Sequence, residues 1–124
     1  MFLDANVLLE VLLGRNNEPQ ARSFLTAHSK QLFISSLTAH LIVHFGQAIV
    51  ALPIIRRFLS DYSILELAAA DFEWAFNNLR NNDYEDALQL AVAIRHGCSQ
   101  FVTLDKTLAL AYASLMPIEV ILIN

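Results

Sequence analysis

The sequence predicts one α/β domain, a largely parallel five-stranded sheet covered by helices on both faces. Three observations carry this. Short apolar segments alternate with helical stretches along the whole chain. The strand candidates are almost continuously apolar, as strands buried on both faces are. The 124 residues show no internal repeat, linker or low-complexity segment, so residues 1–124 read as a single domain large enough to bury a real core.

Phe2 and Leu3 read as a short buried strand that Asp4 ends. Asn6 is a good N-cap, and the apolar run Val7 to Leu13 closes at Gly14, a typical residue just beyond a helix end. After the polar loop Arg15 to Pro19, the positions Ala21, Phe24, Leu25 and His28 give a helix over 20–30. Gln31 to Ser35 is a strand, and a helix from Ala39 to Ala51 follows, ended or kinked by Pro53. Ile54 to Leu59 reads as an amphipathic helix, and Tyr62 to Leu67 as a strand. A helix around Phe72, Ala75, Phe76 and Leu79 stops in the polar knot Arg80 to Asp83. The chain closes with a helix from Tyr84 to His96 capped by Gly97, a strand at Gln100–Thr103, a helix over 106–115 and a last strand over 117–123.

Composition narrows the function classes. Residues are 56% apolar and 16% charged, more apolar than a typical soluble monomer. The stretch 31–55 has no acid, Lys or Arg, but Ser35, Ser36, Thr38, His40, His44, Gln47 and Pro53 break it below a membrane span. A large protein interface is the better account of the apolar excess, and no membrane role is expected. A net charge of −4 argues against a general nucleic-acid coat protein, while leaving room for a local grip on a short piece. One cysteine, Cys98, leaves no internal disulfide and suits a reducing compartment, here the cytoplasm. No secretory leader is evident in a chain already structured at Asp4.

The carboxylates carry the chemistry. Asp4 and Asp105 both follow strands, so both project from the carboxyl edge of the sheet, where open α/β sheets bind ligands. Asp83 and Asp86 open a helix whose N-terminus faces that same edge, and Glu10 faces back along the first helix. Each acid alone has an ordinary explanation as a cap or first-turn residue. Together they repel one another unless a cation sits between them, and carboxylates with retained waters are how proteins hold Mg²⁺ or Mn²⁺. His40 and His44 are four apart on one helix. With no third ligand beside them they read as surface or core histidines rather than a metal site.

Asp-Ala-Asn-Val-Leu-Leu at 4–9, Asp-Tyr-Glu-Asp-Ala-Leu-Gln-Leu-Ala at 83–91 and Val-Thr-Leu-Asp-Lys at 102–106 resemble the three strongest motifs of the PIN-domain family. Size and the lack of an extra domain make the chain most similar to the VapC-like toxins of prokaryotic toxin–antitoxin pairs. The resemblance implies a three-layer α/β/α domain with strand order 3-2-1-4-5 and a metal-dependent ribonuclease. It also implies homodimers and inhibition by a small antitoxin. On the family pattern Asp4, Asp86 and Asp105 are the catalytic, metal-holding acids, and Asn6 and Thr103 support them. The family usually carries a fourth acid on the helix after the second strand, and that position falls on Leu41. Lys106 and Arg15 are the nearest candidates for the RNA phosphate. The competing class is a PIN-fold binding module with weakened catalysis, offering the helical pair over 42–59 to a partner helix.

Overall fold

Adjacent apolar residues along the central strands and the last one belong to different cores, which places the sheet between two helical layers. The computed structural model describes residues 1–28 and 31–124. In chain order its elements are β1 (Phe2–Leu3), α1 (Ala5–Leu13), α2 (Glu18–Ala27), β2 (Phe33–Ser35), α3 (Ser36–Gly46) and α4 (Leu52–Leu59). There follow β3 (Ser63–Leu65), α5 (Ala69–Asn77), α6 (Tyr84–Arg95), β4 (Gln100–Thr103), α7 (Lys106–Ala111) and β5 (Glu119–Leu122). Side chains alternate across a pleated strand. Accordingly Leu3, Ile34, Val102 and Ile121 pack with Val7, Leu8, Ile42 and Ile55 from α1, α3 and α4. Phe2, Phe33, Phe101 and Val120 pack instead with Leu90, Leu108 and Tyr112 on the α6–α7 side. The Phe2 and Phe101 rings stack at 5.5 Å, fixing β1 to β4 on that face.

All four strand pairings are parallel, in the order β3-β2-β1-β4-β5. The sheet is the expected five-stranded α/β/α arrangement. The chain builds outward from β1 to β3 on one side and then crosses back to β4 on the other. The carboxyl ends of β1 and β4 therefore form the switch point at which such sheets hold ligands.

Several boundaries differ from the sequence reading. Asp4, not Asn6, is the N-cap of α1: its backbone is extended and its carboxylate accepts from the Ala5 N–H. Asp caps as well as Asn, and with Asp4 directly after β1 the helix starts at Ala5 with no intervening loop. Asn6 thus lies inside α1. Gly14 has φ 61°, the left-handed conformation that closes the helix on the Glu10 carbonyl. The helix expected over 20–30 is α2, begun earlier because Pro19 is tolerated in a first turn; Ser29 and Lys30 lie outside the described residues.

The expected helix over 39–51 begins at Ser36, with Ser35 capping the Thr38 N–H, and ends at Gly46. Pro53 starts α4 rather than stopping α3. A Cβ on Gly46 would lie 2.8 Å from Leu12 Cδ2 and 3.0 Å from Ile55 Cδ1, so the glycine permits the close approach of α1, α3 and α4. The helix expected over 106–115 ends at Ala111, with Tyr112 as its cap. Among the described residues no helix is long and apolar enough to cross a membrane.

Candidate active site

Asp4 sits at the switch point, 5% exposed, with both oxygens bonded. Oδ1 accepts from the Ala5 N–H at 2.8 Å. Oδ2 accepts from the Thr103 hydroxyl at 2.8 Å and from Asn6 Nδ2 at 3.1 Å. Asn6 also donates to Thr103 Oγ1 at 3.2 Å, and its own Oδ1 accepts from the Leu104 N–H. The three side chains therefore lock the end of β1 to the end of β4. Thr103 is fully buried and accepts in turn from the Asp105 N–H at 3.0 Å. Burial pushes the Asp4 carboxyl up to about 6; the Thr103 and Ala5 hydrogen bonds oppose this, while the charges of Asp105 and Glu85 add to it.

Asp86 comes from the first turn of α6, which Asp83 caps by accepting from Glu85 N and Asp86 N. It is 8% exposed, and its Oδ2 accepts from Asn81 Nδ2 at 3.0 Å. Burial raises its carboxyl to about 7, and Asp4, Asp83 and Asp105 each add repulsion. Of the three, Asp4 acts on it most strongly. Asp105 caps α7 by accepting from the Leu108 N–H at 3.1 Å. Asp83, Glu85, Asp86 and Asp105, with Arg80 and Asn81, line an open cleft of about 830 Å³.

Asp4, Asp86 and Asp105 thus share one edge and feel one another's charge. Glu10 and Arg15 do not join them. The nine residues of α1 run about 13 Å away from that edge, Glu10 accepts from the Asn17 N–H, and Arg15 lies beyond Gly14. Lys106 is exposed at the start of α7. His40 and His44 stack on each other at 5.9 Å on the exposed side of α3. Leu41 is half-buried on the apolar cluster that includes Ala5, the residue after Asp4.

A divalent cation is the group this donor set would take. Among the described residues no three His, Cys, Asp or Glu side chains are drawn together closely enough to hold a metal ion by themselves. Mg²⁺, however, needs only one or two carboxylates, with waters and substrate phosphate filling the rest of its shell. Two carboxyls pushed up by burial, with neighbouring carboxylates adding repulsion, are the electrostatic setting that such a charge relieves. The residues fit it.

Two groups of side chains at or behind the site were not foreseen. Asn81 and Arg80 sit in the polar knot that reads as a mere helix stop. Ser35, Thr38 and Gln89 form a buried network: the Ser35 hydroxyl donates to Gln89 Oε1 at 2.7 Å, and Gln89 Nε2 donates to Thr38 Oγ1 at 2.8 Å. Gln89 lies three residues after Asp86 on one face of α6, so this network ties the Asp86 turn to the end of β2. A glutamine inside the otherwise apolar run Ala87 to Ala93 was the available signal.

The PIN domain family matches residues 1–113. Solved structures share the fold across nearly the whole chain. A toxin–antitoxin complex from Klebsiella pneumoniae contains a chain 21% identical, with a TM-score of 0.74 over 94% of this chain and 93% of that one. A DNA-bound VapBC from Salmonella typhimurium is 16% identical, with a TM-score of 0.69 over 96% and 94%. VapBC2 from Rickettsia felis, bound to a fragment of its promoter, is 14% identical, with a TM-score of 0.68 over 99% and 98%. No curated protein matches by sequence. With the family match spanning all but the last eleven residues, the chain belongs to the PIN-domain family.

Proposed function

We propose that this PIN domain is a Mg²⁺- or Mn²⁺-dependent endoribonuclease, the toxin of a toxin–antitoxin pair, acting in the cytoplasm as a homodimer. The observation that carries the reading is the shared edge of Asp4, Asp86 and Asp105, where two buried carboxyls are pushed up to about 6 and 7. A bound divalent cation supplies positive charge against the phosphodiester and makes a water more acidic.

The chain's own residues do the rest. Thr103 and Asn6 hold the Asp4 oxygens in one orientation, so that carboxylate meets its ligand without rearranging. Asp105 offers the second contact. Asp86, held by Asn81 and presented by the first turn of α6, is the carboxylate placed to take the proton of the attacking water. Asp83 fixes the turn that presents it.

The antitoxin is expected in the groove between α3, α4 and β3. It measures about 920 Å³ and is lined by Val43, Leu52, Ile55, Leu59, Tyr62 and Ile64, with Arg56 at its rim of charge. An amphipathic helix with acidic flanks fits such a groove. Two solved relatives are VapBC complexes, which supports a partner of this kind. The groove and the leucine at position 41 also favour the second reading, a PIN-fold module that binds protein and no longer cleaves. Incubating the purified chain with a mixed RNA pool in Mn²⁺ and then in EDTA tests the choice. Metal-dependent cleavage that is lost in Asp4→Asn supports the ribonuclease; uncleaved RNA together with tight antitoxin binding supports the module.

A further inference from the structure

A nuclease of net charge −4 needs a positive group aimed at its substrate, and the two cations that the sequence nominated stand badly for it. Arg15 lies at the far end of α1, and Lys106 is exposed between the cleft residues Asp105 and Thr107 without itself lining the cleft. Arg80, in the loop between α5 and α6, does line that cleft.

Its setting is unusual for an arginine among acids. Asp83, Glu85, Asp86 and Asp105 line the same cleft, yet among the described residues the ion pairs join only Arg22 to Glu18 and Arg95 to Glu66 and Asp71. Arg80 is instead held from behind. Its backbone N–H donates to the Tyr112 hydroxyl at 3.2 Å, its guanidinium carbon lies 5.9 Å from the centre of the Tyr112 ring, and Nη1 donates to Ser114 Oγ at 3.3 Å. Tyr112 is fully buried and cannot yield. The guanidinium has five donors in a rigid fork, and Ser114 occupies one. Among the described residues none of its nitrogens pairs with a carboxylate within 4.0 Å, and a fork held in place loses little freedom when it binds a planar pair of oxygens.

We infer that Arg80 is the phosphate-binding residue of the cleft, gripping a phosphodiester of single-stranded RNA beside Asp86 and Asp105. The assignment rests on the ribonuclease reading and adds a substrate contact to it. The same Tyr112 hydroxyl that accepts from Arg80 also lies 3.5 Å from Asn81 Oδ1, and Asn81 donates to Asp86. Phosphate grip and catalytic carboxylate are thus set from one buried ring.

The test measures binding of a short fluorescent single-stranded RNA at several salt concentrations, with Ca²⁺ replacing Mn²⁺ and the RNA checked for integrity. Wild type, Arg80→Met and Arg80→Lys are compared, and Mn²⁺ affinity and melting temperature are measured for each. Arg80→Met should weaken RNA binding by about ten- to a hundredfold, the size of one charge-assisted contact. It should also make the slope of log K against log salt shallower by about 0.7, the value for one phosphate on a single strand. Mn²⁺ affinity should stay within about twofold. Arg80→Lys should recover the salt slope and only part of the affinity. Equal slopes in wild type and Arg80→Met overturn the assignment, as does a loss of Mn²⁺ affinity that tracks the loss of RNA. Wild-type protein that binds no RNA overturns the ribonuclease reading itself.

Discussion

Asp4 and Asp86 keep their protons in the cation-free chain at pH values where an exposed aspartate has lost its own. Their folded pKa values, about 6 and about 7, lie above the ordinary 3.8. Between pH 4 and 7 the folded state therefore binds more protons than the unfolded one, and stability falls as pH rises through that window. In EDTA the melting temperature should drop from pH 4.5 to pH 7.5. Asp86→Asn, which cannot ionise, should flatten that slope and stabilise the protein at pH 7.5 by on the order of 2 kcal/mol. Circular dichroism melts across that range check this, and equal slopes for both proteins count against a strained carboxylate pair. Leu41 makes a second case at this scale. Glutamate there would add one charged contact beside the Asp4 cluster, worth about 1.5–3 kcal/mol, or ten- to a hundredfold in Mn²⁺ affinity. Calorimetry on folded Leu41→Glu that finds unchanged affinity would show that position 41 does not reach the cation.

At the scale of elements, the strand ends at Leu3, Ser35 and Thr103 and the helix ends at Leu13 and Leu59 were readable, while other boundaries were not. Phe2-Leu3 followed by Asp4, and Phe101-Val102-Thr103 followed by Leu104 and Asp105, each join an apolar run to a lone acid, so the edge and its carboxylates were legible. Pro53 was misread because proline both ends and begins helices. The Asn6 cap was misplaced because Asp4 can cap equally well. The Ser35–Thr38–Gln89 network went unread because hydrogen bonds between residues 54 and 51 apart leave no local pattern beyond the lone Gln89 in an apolar run. Replacing all three by Ala, Val and Leu removes the side-chain partners together but also the Ser35 cap on the Thr38 N–H, so the fold should be kept at a cost of about 0.5–2 kcal/mol. Mn²⁺ affinity should nevertheless fall by about tenfold, as when residues that support metal ligands are lost. A triple variant with wild-type Mn²⁺ affinity would reduce the network to packing.

For the whole molecule, the apolar excess lies on the surface. The chain exposes 6913 Å², close to the ~6,700 Å² expected of a monomer this size, so the excess does not come from a loosely packed fold. Instead Ile49, Leu52 and Ile54 are more than half exposed beside the α3–α4 groove, and Phe76 is 71% exposed on α5. Apolar surface of that kind marks interfaces. Leu52→Asp with Ile54→Asp should abolish antitoxin binding and leave RNA cleavage intact, as pull-down and gel assays would report. The expected homodimer should appear by light scattering at micromolar concentration, and a clean monomer there would remove it from the account.

The central claim, that this carboxylate edge cleaves RNA with a divalent cation, is tested most directly by one comparison. Wild type and Asp4→Asn, purified side by side, are incubated with the same single-stranded RNA at millimolar Mn²⁺, with and without EDTA. The account expects cleavage by wild type alone, abolished by EDTA, with Asp4→Asn folded and inactive. Equal cleavage by both proteins, or cleavage that survives EDTA, would contradict it.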